Sequence, residues 1–332
     1  MPGIDIGTSF IVLAKQLESA VEYKDFRDAF YIIKPATPIA AKMIEKGLEG
    51  KVFVKDTDGS FLLLGKDAID KAVERNEKAR RPMRKGVVSV KEKESRKVLA
   101  FILKEVAGQA AFENEKLVFC VPAKPIDQDD EDFDVGYHED VIKNILSECG
   151  YDAKAINEAE ALCYSELENE GYSGIGISFG SGMINVCVML NGEPTIKFSM
   201  TKCSGDWIDR MAAVATGEID TVVQAEKEAG QFNIGEPNEN PILFAVASYY
   251  ERLIDYTAKN LAETIRNDKS MPKFKTPMTI IIGGGTSLAN GFVEKFTNKL
   301  SQQDFPIQIK EVKHASDPLH AVARGCLIAS QI

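Results

Sequence analysis

Gly3-Ile4-Asp5-Ile6-Gly7-Thr8-Ser9-Phe10-Ile11-Val12-Leu13 opens the chain. The stretch reads as a strand, a glycine turn carrying two hydroxyls, and a second strand. Side chains alternate along a strand, so Ile4 and Ile6 face one side and Asp5 the other. Gly7 lets the backbone turn and keeps a Cβ out of the way of an approaching ligand. Successive N–H groups in such a turn form a nest for anions, to which Thr8 and Ser9 add donors. Asp5, just ahead of the turn, is placed for a metal ion or its waters. Taken alone, the stretch is equally a buried hairpin that needs a glycine.

Two later stretches bear on that choice. Gly176-Ile177-Ser178-Phe179-Gly180-Ser181-Gly182-Met183-Ile184-Asn185-Val186 repeats the pattern 173 positions on, close to half of the 332 residues. Gly3 falls on Gly176, Ile4 on Ile177, Gly7 on Gly180 and Thr8 on Ser181. Self-similarity at this offset predicts two related halves, and two facing turns predict a polyphosphate held between them. The other stretch is Thr279-Ile280-Ile281-Ile282-Gly283-Gly284-Gly285-Thr286-Ser287-Leu288. Here an apolar β-branched run feeds three glycines, with a helix expected from Asn290 or Gly291. A glycine turn opening a helix suits a planar ring or a phosphate, because the helix N-terminus carries free N–H groups and a positive dipole end. The spacing is neither G-x-G-x-x-G nor the P-loop, which disfavours those nucleotide folds.

At 332 residues the chain exceeds one core, and two domains are the default. The net charge of −10 argues against non-specific nucleic-acid binding. No apolar run reaches the roughly 18 residues of a membrane span. With the first strand starting at once, neither a signal peptide nor a membrane-binding amphipathic helix is expected ahead of it. The cysteines form no C-x-x-C pair and read as buried small hydrophobes of a reducing cytoplasm. Three histidines, His138, His314 and His320, make zinc clusters and a Ser-His-Asp triad poor candidates.

Between the motifs the chain alternates strand and helix patterns. Phe30–Ile33, Lys51–Val54 and Phe61–Leu64 read as strands of a small subdomain, with a short helix around Ala41–Lys46 and a hairpin at Asp58-Gly59. Lys66 to Lys97 is rich in base with acids interspersed, which reads as a solvated face or as a surface for an acidic partner. Arg96 to Phe112 has apolar residues at helical spacing, and Lys116–Pro122 is a buried strand. The acidic run Asp127 to Asp134 lacks the glycine of an EF-hand loop and reads as a solvated loop, or as a match for the basic face of a neighbouring copy. A helix stopping near Cys149-Gly150 follows. In Ile156-Asn157-Glu158-Ala159-Glu160, a strand gives way to a helix capped by Asn157. That brings Glu158 to a strand's carboxyl end, where ligand sites of α/β folds gather, and leaves Glu160 as a first-turn acid.

Taken together, these stretches resemble the actin-like ATPase superfamily. The first phosphate motif is Gly3–Ser9, the second, degraded, is Ile177–Met183, and the adenosine motif is Ile282–Ser287. Asn157–Ala161 looks like the first connecting segment, and Ser204-Gly205-Asp206-Trp207-Ile208-Asp209 like the glycine-acid segment after the second motif. Arg81–Val88 and Asp317–Gly325 look most like the MreB and MamK branch. The resemblance implies an α/β, actin-like ATPase fold: two ribonuclease-H-like domains flanking a nucleotide cleft, each with a small subdomain. Domain I would be 1–145 plus 317–332, its small subdomain about 30–66. Domain II would be 146–316, its small subdomain about 210–268.

The resemblance further implies ATP or ADP with Mg²⁺ in the cleft. The phosphates would lie on Gly7, Thr8, Ser9 and Gly180, Ser181, Gly182. Gly205 and Asp206 would follow, and the adenosine would rest on Gly283, Gly284, Gly285, Ser287 and the pair Glu226 and Lys227, a pair that reads equally as a solvated helix face. Asp5 would hold Mg²⁺ through its waters and Glu158 would orient the attacking water. Ser178 stands where the family usually has aspartate, Ser181 where it has glycine, Met183 for threonine and Asn185 for an acid. Loss of the carboxylate at Ser178 implies a slow or unusual ATPase. The function expected is a head-to-tail homopolymer, a cytoplasmic cytoskeletal filament with an adaptor or cargo protein as further partner and no direct contact with nucleic acid or membrane. The alternatives are a non-polymerising nucleotide-binding adaptor of the FtsA type and a chaperone-type ATPase.

Overall fold

The computed structural model describes every residue except 19, 129–132, 230–231, 237, 272–273 and 275. The chain opens with β1 (Pro2–Ile6), β2 (Phe10–Gln16) and β3 (Val21–Arg27). A small unit follows: β4 (Phe30–Ile33), α1 (Pro38–Gly47), β5 (Phe53–Lys55), β6 (Phe61–Leu64) and α2 (Lys66–Glu74). The hairpin β7 (Met83–Arg84) and β8 (Val87–Val88) leads to α3 (Ser95–Ala107), β9 (Glu115–Val121), α4 (Val135–Glu148) and β10 (Tyr151–Asn157). The second half has α5 (Glu158–Glu166), β11 (Gly174–Phe179), β12 (Ile184–Leu190), β13 (Glu193–Met200) and α6 (Gly205–Thr216). It continues with α7 (Asp220–Ala229), α8 (Pro241–Asn267), β14 (Met278–Gly283), α9 (Phe292–Ser301), β15 (Ile309–His314) and α10 (Ala321–Ser330).

The strands form two five-stranded sheets of one topology, β3-β2-β1-β9-β10 and β13-β12-β11-β14-β15. The repeat extends to the register. Asp5 pairs with Val12 and Ser178 with Asn185, the same positions 173 residues apart. The turn repeats as well: Gly7 N–H donates to Phe10 O and Gly180 N–H to Met183 O, both at 2.9 Å. β10 pairs with β9 along its length, so the first sheet runs to Asn157 and takes in residues beyond the division expected at 145.

Each sheet buries an apolar face against its own helices, α3 and α4 on the first, α6, α8 and α9 on the second. Between them lies a third core, built by α5 and α10 with Val118, Met189 and Ile281. This packing needs glycine at two contacts. A Cβ on Gly3 would lie 2.0 Å from Leu327 N, and one on Gly325 would lie 1.8 Å from Ala161 O. The missing side chains let α10 approach β1 on one side and α5 on the other.

Some expectations shift. The α3 helix ends at Ala107, not Phe112, because Gly108 takes a φ of 67°. Ala110 then fills the first core from a turn and donates its N–H to Cys149 O. Of the acidic run, Asp129, Asp130, Glu131 and Asp132 lie outside the described residues. Asp127 is not solvated: it accepts from the N–H groups of Thr201 and Lys202 and from Tyr256 Oη at 2.6 Å. Asp134 caps α4 by accepting from Tyr137 N. The basic run is partly spent internally, Arg80 on Glu92, Arg81 on Asp206 and Lys78 on Asp220.

Candidate functional site

A cavity of about 520 Å³ opens between the halves, where β1 and β11 both end in their glycine turns. Gly7, Thr8 and Ser9 wall it on one side, and Gly180, Ser181 and Gly182 on the other. The turns touch. Gly182 lies so near Thr8 that a Cβ would sit 2.3 Å from Thr8 Oγ1, which also accepts from Gly86 N–H at 3.0 Å. The outcome is a strip of backbone donors and small hydroxyls drawn from two strand ends.

At the base of the strip are two carboxylates. Asp5 is on β1, and its Oδ1 accepts from the Cys120 thiol at 2.9 Å. Glu158 is the first residue of α5, set there by the Asn157 cap, whose Oδ1 accepts from Ala159 and Glu160 N–H. Glu158 receives one donor on each oxygen, Ser178 Oγ at 2.7 Å and Asn185 Nδ2 at 2.8 Å. Burial raises both carboxyls above the ordinary range, and the Asp5 charge raises Glu158 further. Among the described residues no cluster of three or more His, Cys, Asp or Glu side chains is arranged to hold a metal by itself. The hard oxygen donors of Asp5 and Glu158 suit a cation that completes its shell with water and with ligand oxygens.

The far end of the cavity is broader and less polar. Gly284, Gly285, Leu288, Pro318 and Leu319 line it, together with Phe232 and Tyr250. Gly284 N–H donates to Pro318 O at 2.8 Å. Lys227 enters from α7 and pairs at 2.5 Å with Asp209, which burial holds above its ordinary pKa and Lys227 draws back down.

Of the residues singled out by sequence, Asp5, Gly7, Thr8, Ser9, Glu158, Gly180, Ser181, Gly182, Gly205, Lys227, Gly284 and Gly285 all line this cavity. Four do not. Gly283 is still in β14 and faces Leu162. Ser287 is buried, donating to Gly284 O at 2.7 Å, because the glycines enter a 3₁₀ turn at Gly285–Leu288 before α9 begins. Glu226 is exposed and accepts from Asn240. Asp206 is held by Arg81 at 2.7 Å and faces a separate cavity of about 390 Å³. Glu160 is more than a dipole acid: Tyr164 Oη and Lys197 Nζ both bond it at 3.0 Å. Sequence reasoning passed over Arg27, Cys120 and Gln224, which sit outside any motif and reach the cavity only through the fold, and it gave no role to Asp209 and Thr286, which lie within motif segments and also line the cavity.

A comparison of the whole sequence with protein families matches the Volactin family over residues 1–330. The chain belongs to the Volactin family. No curated protein matches it in sequence. Solved structures do. A MamK double helical filament superposes with a TM-score of 0.71 at 17% identity, covering 100% of this chain and 98% of the other. MreB5 of Spiroplasma citri bound to AMPPNP gives 0.67 at 14% identity over 99% and 96%. The ethanolamine utilization protein EutJ from Carboxydothermus hydrogenoformans gives 0.53 at 17% identity over 98% and 88%. At these identities the likeness is one of fold, and this Volactin chain has the actin-like ATPase fold. No helix among its described residues is long and apolar enough to cross a membrane.

Proposed function

We propose that the chain binds ATP or ADP with Mg²⁺ in the cavity between its halves and assembles head to tail with copies of itself into a cytoskeletal filament, hydrolysing ATP slowly. The observation that carries this reading is the duplicated turn: two copies of one strand–glycine–strand unit, in one register, meet on one cavity above Asp5 and Glu158. Backbone donors of Gly7–Ser9 and Gly180–Gly182 would hold the phosphates, and Gly284, Gly285 and Lys227 the adenosine. Asp5 would hold Mg²⁺ through water. When bound, the ion supplies charge neutralisation, which phosphoryl transfer requires more than covalent help.

Slow turnover follows from the chain's own side chains. Glu158 would be the carboxylate that orients a water, yet Ser178 and Asn185 already donate to both of its oxygens. Neither supplies the acid that would share the work. The solved neighbours support the filament reading, since one is a double helical filament and another holds AMPPNP. Ser178 and Asn185 also fit a nucleotide-binding adaptor that does not polymerise. Titration calorimetry separates binding from assembly. ATP with Mg²⁺ should fill a single site, and Asp5→Asn should weaken it by about tenfold, the effect of one charge acting through an intervening water. No heat from ATP with or without Mg²⁺ would contradict the assignment.

A further inference from the structure

We infer that Arg27 and Glu228 form a latch across the cavity that sets how fast a bound nucleotide leaves, an inference resting on the nucleotide reading above. Arg27 ends β3 in the first half; Glu228 lies near the end of α7 in the second. Their ion pair joins positions 201 residues apart, and both side chains line the cavity.

The guanidinium is held in place. It lies over the Phe10 ring, 3.9 Å from the centroid, and donates to Ser9 Oγ at 3.1 Å. The same Ser9 oxygen accepts a second bond, from Gln224 Nε2 at 3.2 Å. Gln224 stands one helical turn before Glu228 and reaches its Oε1 at 3.0 Å. Two side chains, one from each half, thus close on one hydroxyl of the first glycine turn, and Glu228 accepts from both of them. Behind them, Arg81 donates to Gln224 Oε1 at 2.8 Å, and Thr221 Oγ1 accepts from Ala79 N–H at 3.1 Å.

Two consequences follow. Arg27 and Glu228 stand on different halves, as do Ser9 and Gln224, so widening the cleft to release a ligand parts both pairs. The Arg27 side chain is only 15% exposed and that of Glu228 37%, so the pair is screened less than a surface one. Ser9 also belongs to the turn that would hold phosphate. An occupant of the turn that engages the Ser9 hydroxyl changes what Arg27 and Gln224 can bond, and so biases the latch by its differential contact with the two states.

The test compares wild type with Arg27→Glu, Glu228→Arg and the double reversal, which restores an ion pair. Release of a fluorescent ATP analogue into excess ATP is followed by stopped flow. Each single reversal should speed release roughly tenfold, as loss of a close charge pair does at interfaces, and the double reversal should return it to within about twofold. Unchanged single variants, or a double variant as fast as the singles, would overturn the latch. In parallel, spin labels at Thr57→Cys, between β5 and β6 in the first half, and Val214→Cys, on α6 in the second, both exposed positions, report the cleft width without nucleotide. The distance should lengthen in the single reversals and recover in the double. A wild type that binds no analogue sinks the nucleotide reading and the release rate with it. The label distances then decide the latch alone, and an unchanged distance rejects it.

Discussion

Ser178 and Asn185 face each other across β11 and β12, and each gives a hydrogen bond to Glu158. Both are neutral where the resemblance leads one to expect acids. They satisfy Glu158 without adding charge in a buried corner where Asp5 already raises its pKa. Replacing Ser178 by aspartate restores a second acceptor for metal-bound water. Steady-state ATP hydrolysis by Ser178→Asp should rise by up to roughly a hundredfold at saturating Mg²⁺, the low end of a general-base contribution; a rate equal to or below wild type would argue against the account. The raised carboxyls also couple binding to pH. Asp5 and Glu158 hold protons above their ordinary values in the free protein, and a cation must displace those protons. Mg²⁺-dependent ATP affinity should therefore increase with pH through the neutral range, by up to about tenfold per unit for each proton released. Calorimetry in buffers of differing ionisation enthalpy would count those protons. Asp5 and the glycines were legible because a strand feeding a glycine turn is a local pattern. Arg27 and Gln224 were not, because what gives them meaning is a partner far away in sequence.

Helices and strands were legible where one periodicity held for a whole element, as in α4, β9 and β14. Boundaries were lost where an apolar residue served the core from outside an element. Ala110 prolongs the helical pattern of α3 and packs on the first core, yet Gly108 has already turned the chain, and Phe112 beyond it is exposed. The three glycines at the end of β14 do not lead straight into a helix either; Gly283 is still in the strand, and a 3₁₀ turn at Gly285–Leu288 intervenes and buries Ser287. The closest approach at a glycine could not be read from spacing at all. Gly325 on α10 meets the backbone of α5 at Ala161. Gly325→Ala should cost roughly 3 kcal/mol through overpacking, seen as a lower thermal midpoint. Gly47→Ala, at the end of α1 with nothing within 4 Å of its added methyl, is the control and should leave the midpoint unchanged or raise it. Equal midpoints for the two variants would refute the packing argument.

The whole molecule is a duplication whose copies are tied together by remote polar contacts. The repeat was visible in the sequence because strand, turn and strand recur at one offset, and the sheets carry that offset into their register. The ties were not visible. Asp127 crosses to Thr201, and Asn185 Oδ1 accepts from Ala123 N–H at 3.0 Å. His320, just before α10, stacks on Tyr23 and bonds Asp317 through Nδ1 at 2.6 Å and Asp25 through Nε2 at 3.0 Å. Burial opposes its charge, but the two carboxylates outweigh it and raise the imidazole pKa. A raised pKa means that the folded state holds the proton more tightly. The contribution to stability is full below the ordinary value of about 6.5 and fades as pH rises through the folded value. His320→Gln should thus destabilise the protein at pH 5.5 and differ less at pH 9, by denaturant midpoints; a difference that grows with pH would reverse the sign and reject the assignment.

The central claim is that nucleotide in the duplicated turns governs assembly of the chain with itself. Sedimentation with negative-stain microscopy on the purified protein, with ATP·Mg²⁺, with ADP·Mg²⁺ and without nucleotide, tests it most directly. The account predicts filaments that pellet with ATP·Mg²⁺ and are absent or sparse without nucleotide. Protein that binds nucleotide but stays in the supernatant in all three conditions would contradict it and leave the non-polymerising adaptor in its place.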